Sequence, residues 1–174
     1  EKSAKEEWKK ERPHAYFRLY EQSEEAVNDK PRKSSWQHSL NGVWKFIYAP
    51  TIAASIKDFY RIDLPDSNWD TITVPSNWEI QGFGEPIIRN IQYVFSSNPP
   101  YIDVDNPVGT YRRTFTVPRN WQEREVFLHF GSISGYARIY VNGQQVGMTK
   151  ASKTPAEFNV TNYLKEGENL LAVQ

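Results

Sequence analysis

The chain has 174 residues, enough for one domain with a sizeable core and a squeeze for two. Hydrophobic residues make up 39% and charged residues 24%, a globular composition rather than a disordered one. Basic and acidic residues balance at 21 each, so no global field draws nucleic acid or an anionic membrane, and the absence of cysteine excludes disulfides, thiolate nucleophiles and Cys-based zinc sites.

In chain order, residues 1–12 form a charged arm, read as a frayed surface helix or as an arm that docks on something outside this chain. Arg12-Pro13 closes it, and residues 13–174 are the folded domain, expected to be truncated at its carboxyl end. Tyr16 to Tyr20 is a short extended piece, and Glu24 to Lys33 reads as a polar loop ending near Pro31. Val43 to Tyr48 alternates as a half-buried strand does, after the turn signal Asn41-Gly42. Ile52 to Tyr60 reads as a short helix with Ile52, Ile56 and Phe59 on one face. Thr71 to Val74 is a short strand stopped by Pro75.

A long irregular segment follows from Ser76 to Val108, with several Gly and Pro residues. Such a loop in a compact domain is often functional. The last third alternates most clearly. In Thr110 to Val117, residues Tyr111, Arg113, Phe115 and Val117 share one face. Val126, Leu128 and Phe130 do the same, and Ile139 and Val141 point inward. Asn142-Gly143 is a type I′ hairpin turn, because both central residues need positive φ, and Gln145 to Thr149 is the return strand. Asn162 to Leu164 forms one helical turn. Leu170 to Val173 is a further strand, expected to lack a partner and to leave an exposed edge. The pattern is all-β: a jelly-roll β-sandwich with a few short helical turns.

Candidate chemistry is sparse. His14, His38 and His129 are far apart, with no metal-ligand spacing between them, and His129 reads as a solvent-face or satisfied residue on its strand. No Gly-x-Ser-x-Gly elbow or Gly-rich phosphate loop occurs. Glycoside hydrolysis needs two carboxylates ~5–9 Å apart, and nothing pairs Glu79, Glu85, Asp103 or Asp105, which read as solvated loop charges. Asn159-Val160-Thr161 matches a glycosylation acceptor, a triplet that also arises by chance. Aromatic residues are abundant, 14% of the chain, and fit either a β core or a sugar-stacking surface such as Trp69, Trp78 and Tyr101. Asn90 lies between Asn77-Trp78 and Tyr93-Val94-Phe95. It either hydrogen-bonds sugar hydroxyls or fixes its own loop through backbone contacts.

Several ordered motifs resemble the amino-terminal domain of family 2 glycoside hydrolases of the β-galactosidase type. They are Leu40 to Phe46, Val74 to Glu79, Pro86 to Tyr93 with Asn98-Pro99-Pro100, and Asn106 to Phe115. Val141-Asn142-Gly143 with Val146-Gly147, Pro155 to Asn159, and Gly167 to Leu170 complete the series. The match departs at Ile88-Arg89, Val94 and Met148, where relatives often carry other residues.

The resemblance implies a galactose-binding-domain-like jelly roll that supports a catalytic (β/α)₈ barrel elsewhere in the same polypeptide. The acid/base and nucleophile would be glutamates of that barrel, so no catalytic residue is expected here. Asn90 is the expected substrate-binding residue, on a loop that shapes the galactosyl subsite. No metal site or cofactor is expected in these residues, any Mg2+ or Na+ belonging to the parent enzyme. The expected partners are the β-galactoside substrate and the downstream domains of the same chain, with no nucleic acid and no membrane. This chain is expected to be monomeric, and the parent a candidate homo-oligomer. The alternatives are an independent carbohydrate-binding module and a purely structural or oligomer-contact domain.

Overall fold

The computed structural model describes residues 8–28, 34–86, 106–150 and 152–174. Among these, the alternating runs pair as antiparallel strands: β1 Gly42–Ala49, β2 Asp70–Val74, β3 Val108–Thr116, β4 Phe127–Phe130, β5 Ala137–Val141, β6 Gln144–Thr149, β7 Ala156–Asn159 and β8 Glu168–Val173. Six form one sheet in the order β2-β1-β3-β8-β5-β6, and β4 pairs with β7 in a second. The result is an all-β antiparallel sandwich of the jelly-roll kind, with few helical turns. Among the described residues no helix is long and apolar enough to cross a membrane.

Strand alternation fills the space between the sheets. From the large sheet come Ile72, Trp44, Phe46, Leu171, Val173, Ile139 and Val141, and from the small sheet Ala156 and Phe158, all buried. Gly147 permits the close approach of the two sheets, since a Cβ there would lie 2.2 Å from the Phe158 ring. Asn142 and Gly143 have φ of 50° and 82°, so the predicted tight hairpin forms as expected. The buried Asn169 ties that turn to the approach to β8. Its Oδ1 accepts from Asn142 Nδ2 and the Lys165 amide, and its own amide donates to the Lys165 and Gly167 carbonyls.

The outer face of the large sheet is covered by the β1–β2 connection. Phe59 is fully buried there. Arg112 of β3 donates through one guanidinium nitrogen to the Phe59 and Arg61 carbonyls, and its Nε lies 3.0 Å from Asp66 Oδ2. That Nε makes no well-aligned hydrogen bond, so the Asp66 contact is an ion pair.

Four sequence readings need correction. Residues 52–60 are two successive turns rather than a helix. The Ser55 and Arg61 amides bond back three residues, and the Thr51 and Ser55 hydroxyls compete for local backbone groups. Ile52 is left 63% exposed, so it shares no buried face with Phe59. The polar stretch after Gln22 contains a one-turn helix, α1 Ser23–Val27, instead of loop throughout. Ala156–Asn159 forms a four-residue strand, β7, that alternation alone does not mark. Finally, β8 is not an unpaired edge but is paired on both sides, with β3 and β5.

Candidate functional site

Asn90 lies outside the described residues, as do Asp103, Asp105 and Tyr101. What is described is the stem of the Ser76–Pro100 loop, residues 76–86, and its return at Asn106 and Pro107 into β3. The sequence builds this stem as a rigid aromatic base. Glu79 to Gln81 forms one 3-10 turn, and Gly82, at φ 92°, ends it. The Gln81 side chain then acts as a short strand substitute: its Oε1 accepts the Thr73 amide at 2.8 Å and its Nε2 donates to the Thr73 carbonyl at 2.9 Å. This satisfies part of the free edge of β2, which would otherwise present unpaired backbone.

Trp78 packs inward. Its ring stands edge-on to Tyr48 at 5.7 Å and tilted to Phe46 at 6.4 Å. A Cβ at Gly109 would come within 2.5 Å of the Trp78 ring, so this position needs glycine for the stem to seat on β3. Phe83 meets Phe46 edge-on at 4.7 Å, and Gly84, at φ 71°, passes against the Tyr48 phenol. Burial, aided by the nearby Glu79 carboxylate, pushes the Tyr111 phenol up to about 12, so it stays a neutral hydroxyl at physiological pH. Five aromatic side chains thus fix where the loop leaves and re-enters the sandwich.

Two of the three candidate stacking aromatics, Trp69 and Trp78, lie among the described residues. Trp78 belongs to the stem, held by Tyr48 and Phe46, and Trp69 lies beside the Arg112 guanidinium at 5.5 Å. Glu79 and Glu85 sit in the stem. Among the described residues no group of three His, Asp or Glu side chains could hold a metal ion. The glycosylation-type triplet is folded into a local turn, in which Asn159 Oδ1 accepts from the Thr161 amide and hydroxyl.

Above the stem, the described residues cover only part of the inner face of the sandwich. Among the described residues, Tyr48, Val74, Trp78, Phe115, Leu128 and Phe130 line a broad open groove, which the segment Glu11 to Tyr20 also borders. They pack against the core but are only partly buried. Sequence reasoning did not find this groove, because it depends on how segments far apart in the chain pack over one another.

The histidines are where the structure departs most from sequence spacing. His14 and His129, which no motif connects, meet on the two oxygens of Glu157, each at 2.7 Å.

The described residues define a two-layer antiparallel β-sandwich of the jelly-roll class, with a long connection rising from an aromatic stem. Residues 37–174 match the family described as "Glycosyl hydrolases family 2, sugar binding domain". The chain belongs to that family. A β-galactosidase of Priestia megaterium is 37% identical over 166 residues, which is 92% of this chain and 16% of that protein. A β-galactosidase of Psychromonas ingrahamii is 38% identical over 160 residues, again 92% of this chain and 15% of that protein. Among solved structures, a Bacteroides uniformis β-glucuronidase superposes with a TM-score of 0.58 at 27% identity, covering 78% of this chain and 14% of that one. A Bifidobacterium dentium β-glucuronidase gives 0.55 at 25%, covering 77% and 19%. The chain therefore spans a small part of the length of the relatives that it matches.

Proposed function

We propose that this chain is the amino-terminal domain of a β-galactosidase that hydrolyses terminal β-galactosides, and that it supplies no catalytic carboxylate itself. The observation that carries this reading is the identity of 37–38% to two curated β-galactosidases over 92% of the chain. The solved β-glucuronidases are more distant, at 25–27% identity. In this reading the domain supports the catalytic barrel and lends the Ser76–Pro100 loop, with Asn90, to the galactosyl subsite. The aromatic stem supports it, because a loop that shapes a subsite needs a rigid base. The use of Trp78 as part of the stem, against Tyr48 and Phe46, favours a supporting role over an independent carbohydrate-binding module. The open groove is then closed by a further segment of the parent polypeptide, which its half-buried aromatic lining favours.

The test assays the parent enzyme and the 174-residue chain side by side on a β-galactoside and a β-glucuronide. The expected result is galactoside hydrolysis by the parent, no turnover by the chain, and no heat when the chain is titrated with galactose or lactose. Faster glucuronide hydrolysis by the parent would overturn the substrate. Binding of galactose by the chain tighter than about millimolar would favour the module instead.

A further inference from the structure

The arm that precedes the sandwich does more than lie on its surface. Trp8 exchanges backbone hydrogen bonds with Met148 on the free edge of β6, at 3.3 and 3.1 Å. Three residues later the Glu11 amide donates to the Glu157 carbonyl of β7 at 2.9 Å. The arm therefore bridges the edge of the large sheet to the small sheet. Lys9 adds a contact below this span, its Nζ 2.6 Å from the Tyr163 hydroxyl.

His14 closes the bridge, and each of its two ring nitrogens faces an acceptor. Nε2 lies 2.7 Å from Glu157 Oε2, and Nδ1 lies 2.9 Å from the Ala15 carbonyl oxygen. An ionised carboxylate and a carbonyl both only accept hydrogen bonds. Neutral imidazole has one N–H and can satisfy only one of them. The imidazolium form, with two N–H groups, satisfies both. The second Glu157 oxygen is taken by His129 Nδ1 from β4 at 2.7 Å, so the carboxylate has a fixed partner on each oxygen.

We propose that the segment from Trp8 to His14 is a proton-operated clasp across the side of the sandwich, shut while His14 is imidazolium and loosened when it loses a proton. The groups that face His14 are Glu157 on β7 and Glu11 on the arm itself, both acidic. Glu157 is in turn faced by His14 and by His129 on β4. The Ala15 carbonyl, then Glu157, raise the His14 pKa above its ordinary 6.5. Burial pushes the Glu157 carboxyl up, but the hydrogen bonds from His14 and His129 outweigh it and hold the group below its ordinary 4.5. The raised histidine contributes fully below 6.5, and its contribution is lost as pH rises through its folded value. The lowered carboxyl contributes above 4.5, and its contribution is lost as pH falls through its folded value. The clasp is thus complete between those two ordinary values and opens on the alkaline side.

The test is amide hydrogen exchange of Glu11 in the 174-residue chain, corrected for the intrinsic chemical rate, at about pH 5.5 and about pH 8.5. Wild-type protection should fall several-fold at the higher pH. In His14→Gln the protection should be low and equal at both values. Nitrogen NMR of the His14 ring should show both nitrogens protonated at the lower pH. Equal wild-type protection at both values, or an undiminished pH dependence in His14→Gln, would overturn the proposal. Since His14 is a surface side chain, 43% exposed, its replacement leaves the core untouched.

Discussion

The two faces of the six-stranded sheet are finished in different ways. The outer face is closed by sequence that directly follows β1: residues 50–69 fold back, sink Phe59 to 0% exposure and are held there by Arg112, whose side chain is 3% exposed. The inner face is closed at one half, where Phe158 of β7 fills the space over Ile139 and Gly147. At the other half Tyr48, Trp78 and Phe115 stay half-buried beside the groove. A face covered by its own connection is complete within this chain. Among the described residues, the face covered by distant elements is the less completely enclosed of the two.

That contrast predicts unequal costs for similar substitutions. Phe59→Ala should cost about 3–5 kcal/mol in denaturant unfolding, because it empties a fully enclosed site. A cost under about 1 kcal/mol would mean that the outer face is not a core. Arg112→Ala should cost about 3 kcal/mol, since it strands the Phe59 and Arg61 carbonyls and leaves Asp66 without its cation. Phe115→Ala should cost the least, about 1 kcal/mol in this chain, because its ring gives up only part of its surface to the core. In a chain extended by ~10–20 residues at the carboxyl end, enough for a further strand or two, the same substitution should cost more and the melting temperature should rise. Equal costs and equal melting temperatures in both chains would break the comparison.

What could be read in the sequence follows the range of each interaction. The strands of the last third were legible because alternation and the Asn142-Gly143 turn are local signals. Ile52 to Tyr60 had helical spacing, yet side-chain hydrogen bonds from Thr51 and Ser55 and the burial of Phe59 decided its turns. The strand β7 is only four residues, too short for alternation to stand out. The central position of β8 was hidden because sheet order is set by pairing between segments far apart in the chain. The same holds for the clasp, where His14 and Glu157 are 143 positions apart. The family motifs marked the loop that bears Asn90, whereas its aromatic stem became visible only when Trp78, Phe83 and Tyr48 were seen to converge.

The most direct measurement is kcat/KM for a β-galactoside in the parent enzyme carrying Asn90→Ala. If this domain lends its loop to the galactosyl subsite, kcat/KM falls by the equivalent of about 1–3 kcal/mol while the melting temperature holds. An unchanged kcat/KM would contradict that role and leave the domain as a support alone.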